Sequence, residues 1–324
     1  MVIKSALIKF GILILLLTGF TISTLAQSGG QAGSFSRMGF GPRGMAMGNA
    51  LISNTSNGVY SYYNPALAAQ SAGTQVDFST AAMSFDRSLN TASGTFELPP
   101  TAGASFSIIN ANVSDIDGRT SSGYHTDMLS TQEYQIAAAF GQQITDHFSV
   151  GIGLKYYISD LHNDLPSATT LGLDIGMLYL FSDRLQAAAV IRDLLASYSW
   201  SSGTLYGDNS SARTDDFPKQ IQFGLSYQLI SNLLISFEGG QIVHKNKSAN
   251  NLKIGSTYQL HERISLRGGW QINDLSSIRQ TNHFSTGFSV HLPFDLFSPS
   301  VDYAFVQEPN NISYMHTFGI QIKL

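Results

Sequence analysis

The stretch Gly39-Phe40-Gly41-Pro42-Arg43-Gly44 matches G-x-G-x-x-G, the spacing with which a tight turn and a helix N-terminus cradle a dinucleotide pyrophosphate. That chemistry needs a strand ahead of the turn and an acid about 20 residues beyond it. The residue 20 positions after Gly44 is Asn64, so these glycines read as packing residues. Asp115-Ile116-Asp117-Gly118 has acids at calcium-loop spacing. The sixth and twelfth places of such a loop, which require Gly and a bidentate Glu, hold Thr120 and Thr126. Eight histidines form no H-E-x-x-H and no pair at metal-ligand spacing. His283 and His291 lie roughly 26 Å apart along a strand, too far to clamp one ion. No G-x-S-x-G elbow marks a serine nucleophile, and with no cysteine there is no thiolate chemistry. The expectation is a protein that is not an enzyme, with no catalytic residue, no cofactor and no metal.

The charges follow a different logic. Lys155, Asp174, Glu238, Lys253, Arg267 and Lys323 share the parity of Gln, Ser and Gly along their segments, while the intervening positions are apolar. Gln220, Gln222, Gly224, Ser226 and Gln228 alternate with Ile221, Phe223, Leu225, Tyr227 and Leu229. Val150, Ile152, Leu154, Tyr156 and Ile158 repeat the pattern, as do Phe318, Ile320, Ile322 and Leu324. Period two is the signature of a strand with one apolar and one polar face. Unpaired charges buried in a dry sandwich would cost several kcal/mol each. A hydrated lumen, or a polar segment filling it, removes that cost.

Composition points the same way. Only 12% of residues are charged, about half the usual share, and hydrophobic content is an ordinary 43%. Lys4 and Lys9, the apolar run Phe10–Phe20 and the small residues Thr24-Leu25-Ala26 read as a cleaved signal peptide over 1–26. Beyond it no apolar run reaches helix-spanning length. The net charge of −4, or −6 without the two leader lysines, leaves no basic face for nucleic acid. Strands that expose one face to lipid and the other to a polar lumen satisfy all of this. Fourteen segments fit: 74–85, 88–97, 101–112, 131–142, 145–160, 168–181, 183–197, 218–229, 232–244, 249–259, 262–274, 281–291, 298–308 and 311–323. The fold expected is an all-β transmembrane antiparallel barrel over 74–324, preceded by an N-terminal plug over 27–73. Thr145-Asp146, Ser182-Asp183 and Pro309-Asn310 read as tight periplasmic turns, and 113–130 and 198–217 as long extracellular loops. Tyr179, Phe181, Tyr227, Trp270, Tyr303 and Tyr314 suit interfacial girdles.

Residues 35–70 break the alternation. Arg43-Gly44-Met45-Ala46-Met47-Gly48 is small and glycine-rich, and Tyr63-Asn64-Pro65-Ala66 sets a turn and a brief helix capped by Asn64. These two motifs are joined by Ser149–Tyr156, Leu173-Asp174-Ile175-Gly176, Phe223–Tyr227, Leu266–Trp270 and Val301-Asp302-Tyr303-Ala304. Together they resemble the PorV/PorQ family of outer-membrane proteins, within the wider FadL-like barrels. The resemblance covers nearly the whole chain after the leader. It departs at Tyr63 and Leu67, where the family often has Trp and Gly. It implies a fourteen-stranded barrel with an inward-folded plug shaped by Arg43, Gly44, Gly48, Asn64, Pro65 and Ala66. It also implies a role in type IX protein secretion, with cargo proteins or secretion subunits as partners beside the outer-membrane bilayer. The alternative is a FadL-like transporter of a hydrophobic small-molecule ligand. Inward faces dominated by Gln, Ser, Gly, Thr and charge favour secretion; inward Leu178, Leu180 and Val190 keep transport open.

Overall fold

The structure, a computed structural model, describes residues 31–324 apart from 59, 163–164, 202, 204–211, 246, 274–280, 293, 295–296 and 309–312. The leader expected at 1–26 lies outside the described residues. Among the described residues no helix is long and apolar enough to cross a membrane.

Strands β1 (Gln75–Met83), β2 (Arg87–Leu98), β3 (Ala102–Arg119), β4 (His125–Thr145), β5 (Phe148–Asp160), β6 (Ala168–Ser182) and β7 (Leu185–Leu194) form one half of a closed antiparallel barrel. β10 (Lys219–Ile230), β11 (Leu233–His244), β12 (Lys247–His261), β13 (Ile264–Asn273), β14 (Thr281–His291), β15 (Ser298–Gln307) and β16 (Tyr314–Lys323) form the other. Between the halves, β8 (Ser197–Ser201) and β9 (Ala212–Asp216) pair as a separate two-stranded sheet. The barrel has fourteen strands, and β16 closes it on β1 with Val76 opposite Ile322 and Phe78 opposite Ile320. Closure removes the unpaired edge that would otherwise be left in lipid or water.

The alternation read from the sequence holds where the wall is regular. In β10, Gln220, Gln222 and Ser226 are buried while Phe223 and Tyr227 are exposed; in β16, Thr317 and Gln321 are buried while Phe318 and Ile320 are exposed. One expected loop is largely strand, and another carries a short strand pair. β3 continues to Arg119 and β4 begins at His125, so 113–130 is mostly a hairpin joined at 120–124. A register shift between Val113 and Ile116, with Asp115 at φ 54°, breaks the period of two there. Most of these residues are exposed, so no apolar stripe marks the strands. The region 198–217 contributes β8 and β9. Pro309-Asn310 lies outside the described residues. Strand alternation nevertheless puts the β15–β16 connection at the same end as 120–124, opposite the turns at 146–147 and 183–184.

Residues 32–70, apart from 59, run inside the wall. A 3-10 turn at Ser34–Arg37, a helix at Gly41–Ala46 and a 3-10 helix at Pro65–Gln70 are its ordered elements. Pro at the first helical position and the Asn64 side chain, which accepts from Ala66 N–H at 3.0 Å, start the last of these. Phe40, Met45, Met47, Leu51, Ile52, Tyr63 and Leu67 are almost fully buried, so nearly half of the apolar core comes from this one short segment.

Candidate functional site

Wall glycines trace the path of the inner segment. A Cβ on Gly176 would stand 1.9 Å from Asn64 Oδ1, and one on Gly151 would stand 2.3 Å from Ala66 N. At Gly103 it would meet the Ala68 carbonyl oxygen at 1.9 Å, and at Gly269 the Gly48 nitrogen at 2.0 Å. Heavy atoms of the two backbones cannot approach so closely past a side chain. The glycines that looked like a bland polar face therefore seat the segment. Gly48 adds a positive φ of 61° to its contact with the Trp270 backbone, a conformation costly for other residues.

Two polar groupings tie the segment to the wall, and a third braces the wall beside it. Arg43 is 3% exposed. Its Nε donates to Asp302 Oδ1 at 3.0 Å and its Nη1 to the Asn57 carbonyl at 3.2 Å, and further hydrogen bonds reach Gln321 and Ser300. In the second, Glu238 Oε1 accepts from Ile52 N–H at 2.6 Å, while its Oε2 faces Lys253 Nζ at 3.4 Å. Lys253 also donates to the Asn49 carbonyl at 3.3 Å. The third joins wall to wall: Lys155 bridges Asp174 at 2.7 Å and Asp193 at 2.9 Å, and Tyr157 O–H donates to Asp193 at 2.6 Å. Mutual pairing and backbone donors offset the desolvation of these buried charges. Tyr63 fixes the segment to itself. Its hydroxyl donates to Asn49 Oδ1 at 2.8 Å and accepts from Phe40 N–H at 3.0 Å, and burial pushes the phenol well above its ordinary pKa, keeping the donor neutral.

Arg43, Gly44, Gly48, Asn64, Pro65 and Ala66 all sit in the lumen against the wall. Lys155, Asp174, Glu238, Lys253 and Arg267 point inward and are buried. Lys323 does not join them: it is exposed, paired in register with Gln75 and Ser298 at the tight-turn rim where the lumen ends. Asp302, Arg192, Asp193 and Arg37 carry much of the lumen's charge and were not singled out by the sequence. Asp302 and Arg192 were legible by parity with Ser300 and Val190. Asp193 was not, because it takes φ 61° beside a register shift and turns inward out of turn. In the Asp115–Gly118 stretch, Asp117 is occupied by Arg119 and His125. Among the described residues no group of three or more His, Asp or Glu could hold a metal ion.

At the long-loop end the segment does not fill the barrel. A cavity of about 290 Å³ lies between Ser34–Met38, Tyr62 and Tyr63 on one side and the ends of β7 and β10–β16 on the other. Its lining mixes Met38, Tyr62, Ile242, Val306 and Met315 with the side chains of Arg37, Arg192, Gln220, Gln222, Lys253 and His283. A concave space with an apolar floor and a few convergent polar groups is the usual form of a small-molecule site.

Comparison with known proteins places this geometry. A family model described as "Putative MetA-pathway of phenol degradation" matches residues 49–214. The Pseudomonas putida toluene transporter TodX superposes with TM-score 0.61 at 13% identity, covering 88% of this chain and 96% of that one. The CymD monoaromatic hydrocarbon channel gives 0.58 at 13% identity, over 88% and 96%. A Pseudomonas aeruginosa FadL homologue gives 0.60 at 10% identity, over 87% and 97%. No curated protein matches the chain. The fold is thus a FadL-like barrel.

Proposed function

We propose, from the premise that this chain belongs to the family described as putative MetA-pathway of phenol degradation, that it is an outer-membrane channel admitting small hydrophobic molecules. The observation that carries this reading is the ligand-sized cavity at the long-loop end, enclosed between the inner segment and the wall. Structures of the same fold are named as a toluene transporter and a monoaromatic hydrocarbon channel, which supports the same direction. The wall's exposed Phe78, Phe106, Leu154, Leu171, Phe223 and Phe318 suit contact with lipid, and the long-loop end would face outward.

The secretion reading came from the PorV/PorQ resemblance, and the polarity of the inward faces favoured it over transport. Those side chains are engaged: Ser285 and Ser226 bond the inner segment, and the inward glycines receive it. Their polarity is therefore no sign of an open aqueous lumen and no argument against an apolar ligand. A role with type IX subunits or cargo, and membership of PorV/PorQ within the FadL-like barrels, has no comparable observation behind it.

The test is uptake of a neutral single-ring hydrocarbon, toluene, into lipid vesicles carrying the purified protein. Faster entry than into vesicles with a heat-unfolded sample is expected. Equal rates would overturn the channel reading.

A further inference from the structure

The outer wall is not evenly covered. Leu89, Thr91 and Thr95 of β2 are buried in the barrel, which leaves Ser88, Asn90, Ala92 and Gly94 to face outward. Their cross-strand neighbours include Phe78 on β1 and Phe106 and Ile108 on β3, all exposed. Small residues between large ones make a recess, and a groove of about 620 Å³ crosses β16, β1, β2 and β3 there. The ladders beneath it run without a register shift, so it is a furrow in the surface and not a break in the wall.

Its two ends differ in chemistry. Phe78, Val301, Phe318 and Ile320 line one of them. Thr80, Asn90 and Asn110 line the other: Thr80 Oγ1 donates to Asn90 Oδ1 at 2.8 Å, and Asn90 Nδ2 to Asn110 Oδ1 at 3.4 Å. Among the described residues no Asp, Glu, Lys or Arg lines the groove. The cross-strand row through Asn90 runs from Leu266, close to the tight turn at 262–263, by way of Phe318 and Thr80 to Ile158 and Thr169 at the long-loop end. The polar end is therefore the one nearer the long loops.

From Val301 on β15 to Ile108 on β3 the groove spans four strand spacings, about 19 Å. With strands tilted by about 45° that is a rise of about 14 Å, close to the ~15 Å that one leaflet gives to the hydrocarbon core. Polar groups facing hydrocarbon are costly unless hydrogen-bonded. Beyond the bonds they already make, the Thr80 hydroxyl can still accept and the Asn90 amide has a second N–H. Another barrel is convex and cannot enter a furrow this narrow, whereas a single acyl chain can.

We infer that the groove seats one acyl chain of a lipid in the outer leaflet, joined to its parent molecule by an amide that meets Thr80 and Asn90. An amide both donates and accepts as this pair requires; an ester only accepts, and a phosphate finds no cation here. Such binding requires only that the wall stand in lipid, whether or not the barrel conducts a ligand.

Native mass spectrometry of the full chain, stripped of lipid and held in detergent, tests this with N-palmitoyl sphingosine, dipalmitoylglycerol and dipalmitoyl phosphatidylglycerol as probes. One equivalent of the amide lipid is expected to stay bound about tenfold more tightly than either ester lipid, the margin of a hydrogen-bond pair over its loss. Ala92→Phe, which fills the groove, and Asn90→Leu, which removes the polar partner, should each weaken it by about tenfold. Both side chains point into lipid, and Asn90→Leu serves if Ala92→Phe does not fold. Equal retention of the three probes, retention indifferent to the substitutions, or a dimer that excludes lipid would each overturn the proposal. Retention without toluene uptake would sink the channel reading alone; uptake without retention would sink this one alone.

Discussion

The two halves of the lumen are built on opposite principles. From the tight turns to mid-barrel, the inner segment meets the wall backbone to backbone over Gly103, Gly151 and Gly269 and seats the Asn64 side chain on Gly176, and Arg43, Asp302, Glu238 and Lys253 find partners there. At the long-loop end the side chains are as polar, but they leave a cavity and guanidinium nitrogens without partners. Identical wall chemistry thus serves stability in one half and is left unspent in the other. Polarity of an inward face does not distinguish the two; what distinguishes them is whether the segment covers it.

Substitutions break that comparison at different strengths. Arg43→Met leaves Asp302 buried with no charge partner, and a loss of about 3–5 kcal/mol is expected in urea unfolding from vesicles. Replacing Asp302 with Leu in the same chain should restore much of it, which would identify the loss as uncompensated charge rather than lost packing. Gly176→Val forces Asn64 away from the wall. A cost of about 1–3 kcal/mol is expected, together with new protease cleavage within residues 40–70. Asn64→Ala removes the helix cap and the donors to the Ile52 and Met177 carbonyls, for about 1–2 kcal/mol by the same unfolding assay. Arg119→Ala, on the exposed β3–β4 hairpin, removes a surface ion pair with Asp117 and an exposed hydrogen bond to the Gly123 carbonyl, and should shift stability by less than about 1 kcal/mol. A large loss there would undo the distinction between the packed interior and the rim.

The wall was largely legible because lipid outside imposes period two wherever the ladder is regular, as Gln220–Leu229 and Phe318–Leu324 illustrate. Legibility stopped where that pressure stops. Residues 113–119 and 125–130 continue the ladder with exposed side chains and no apolar stripe. Asp193 escaped because a left-handed backbone reversed its parity. The segment's motifs around Arg43 and Asn64 stood out, but their partners did not: Asp302 lies 259 residues from Arg43, and no local pattern links them. The cavity was invisible for a related reason. It is defined by where the segment ends its cover, a fact of three-dimensional packing that strand periodicity does not carry.

Everything turns on the inner segment occupying the barrel's packed half. Ion conductance across a planar bilayer measures that directly. A filled lumen predicts that the unmodified protein passes little current and that Gly176→Val opens a sustained, larger conductance. An unmodified protein that conducts as a wide aqueous pore, with no change on Gly176→Val, would contradict it.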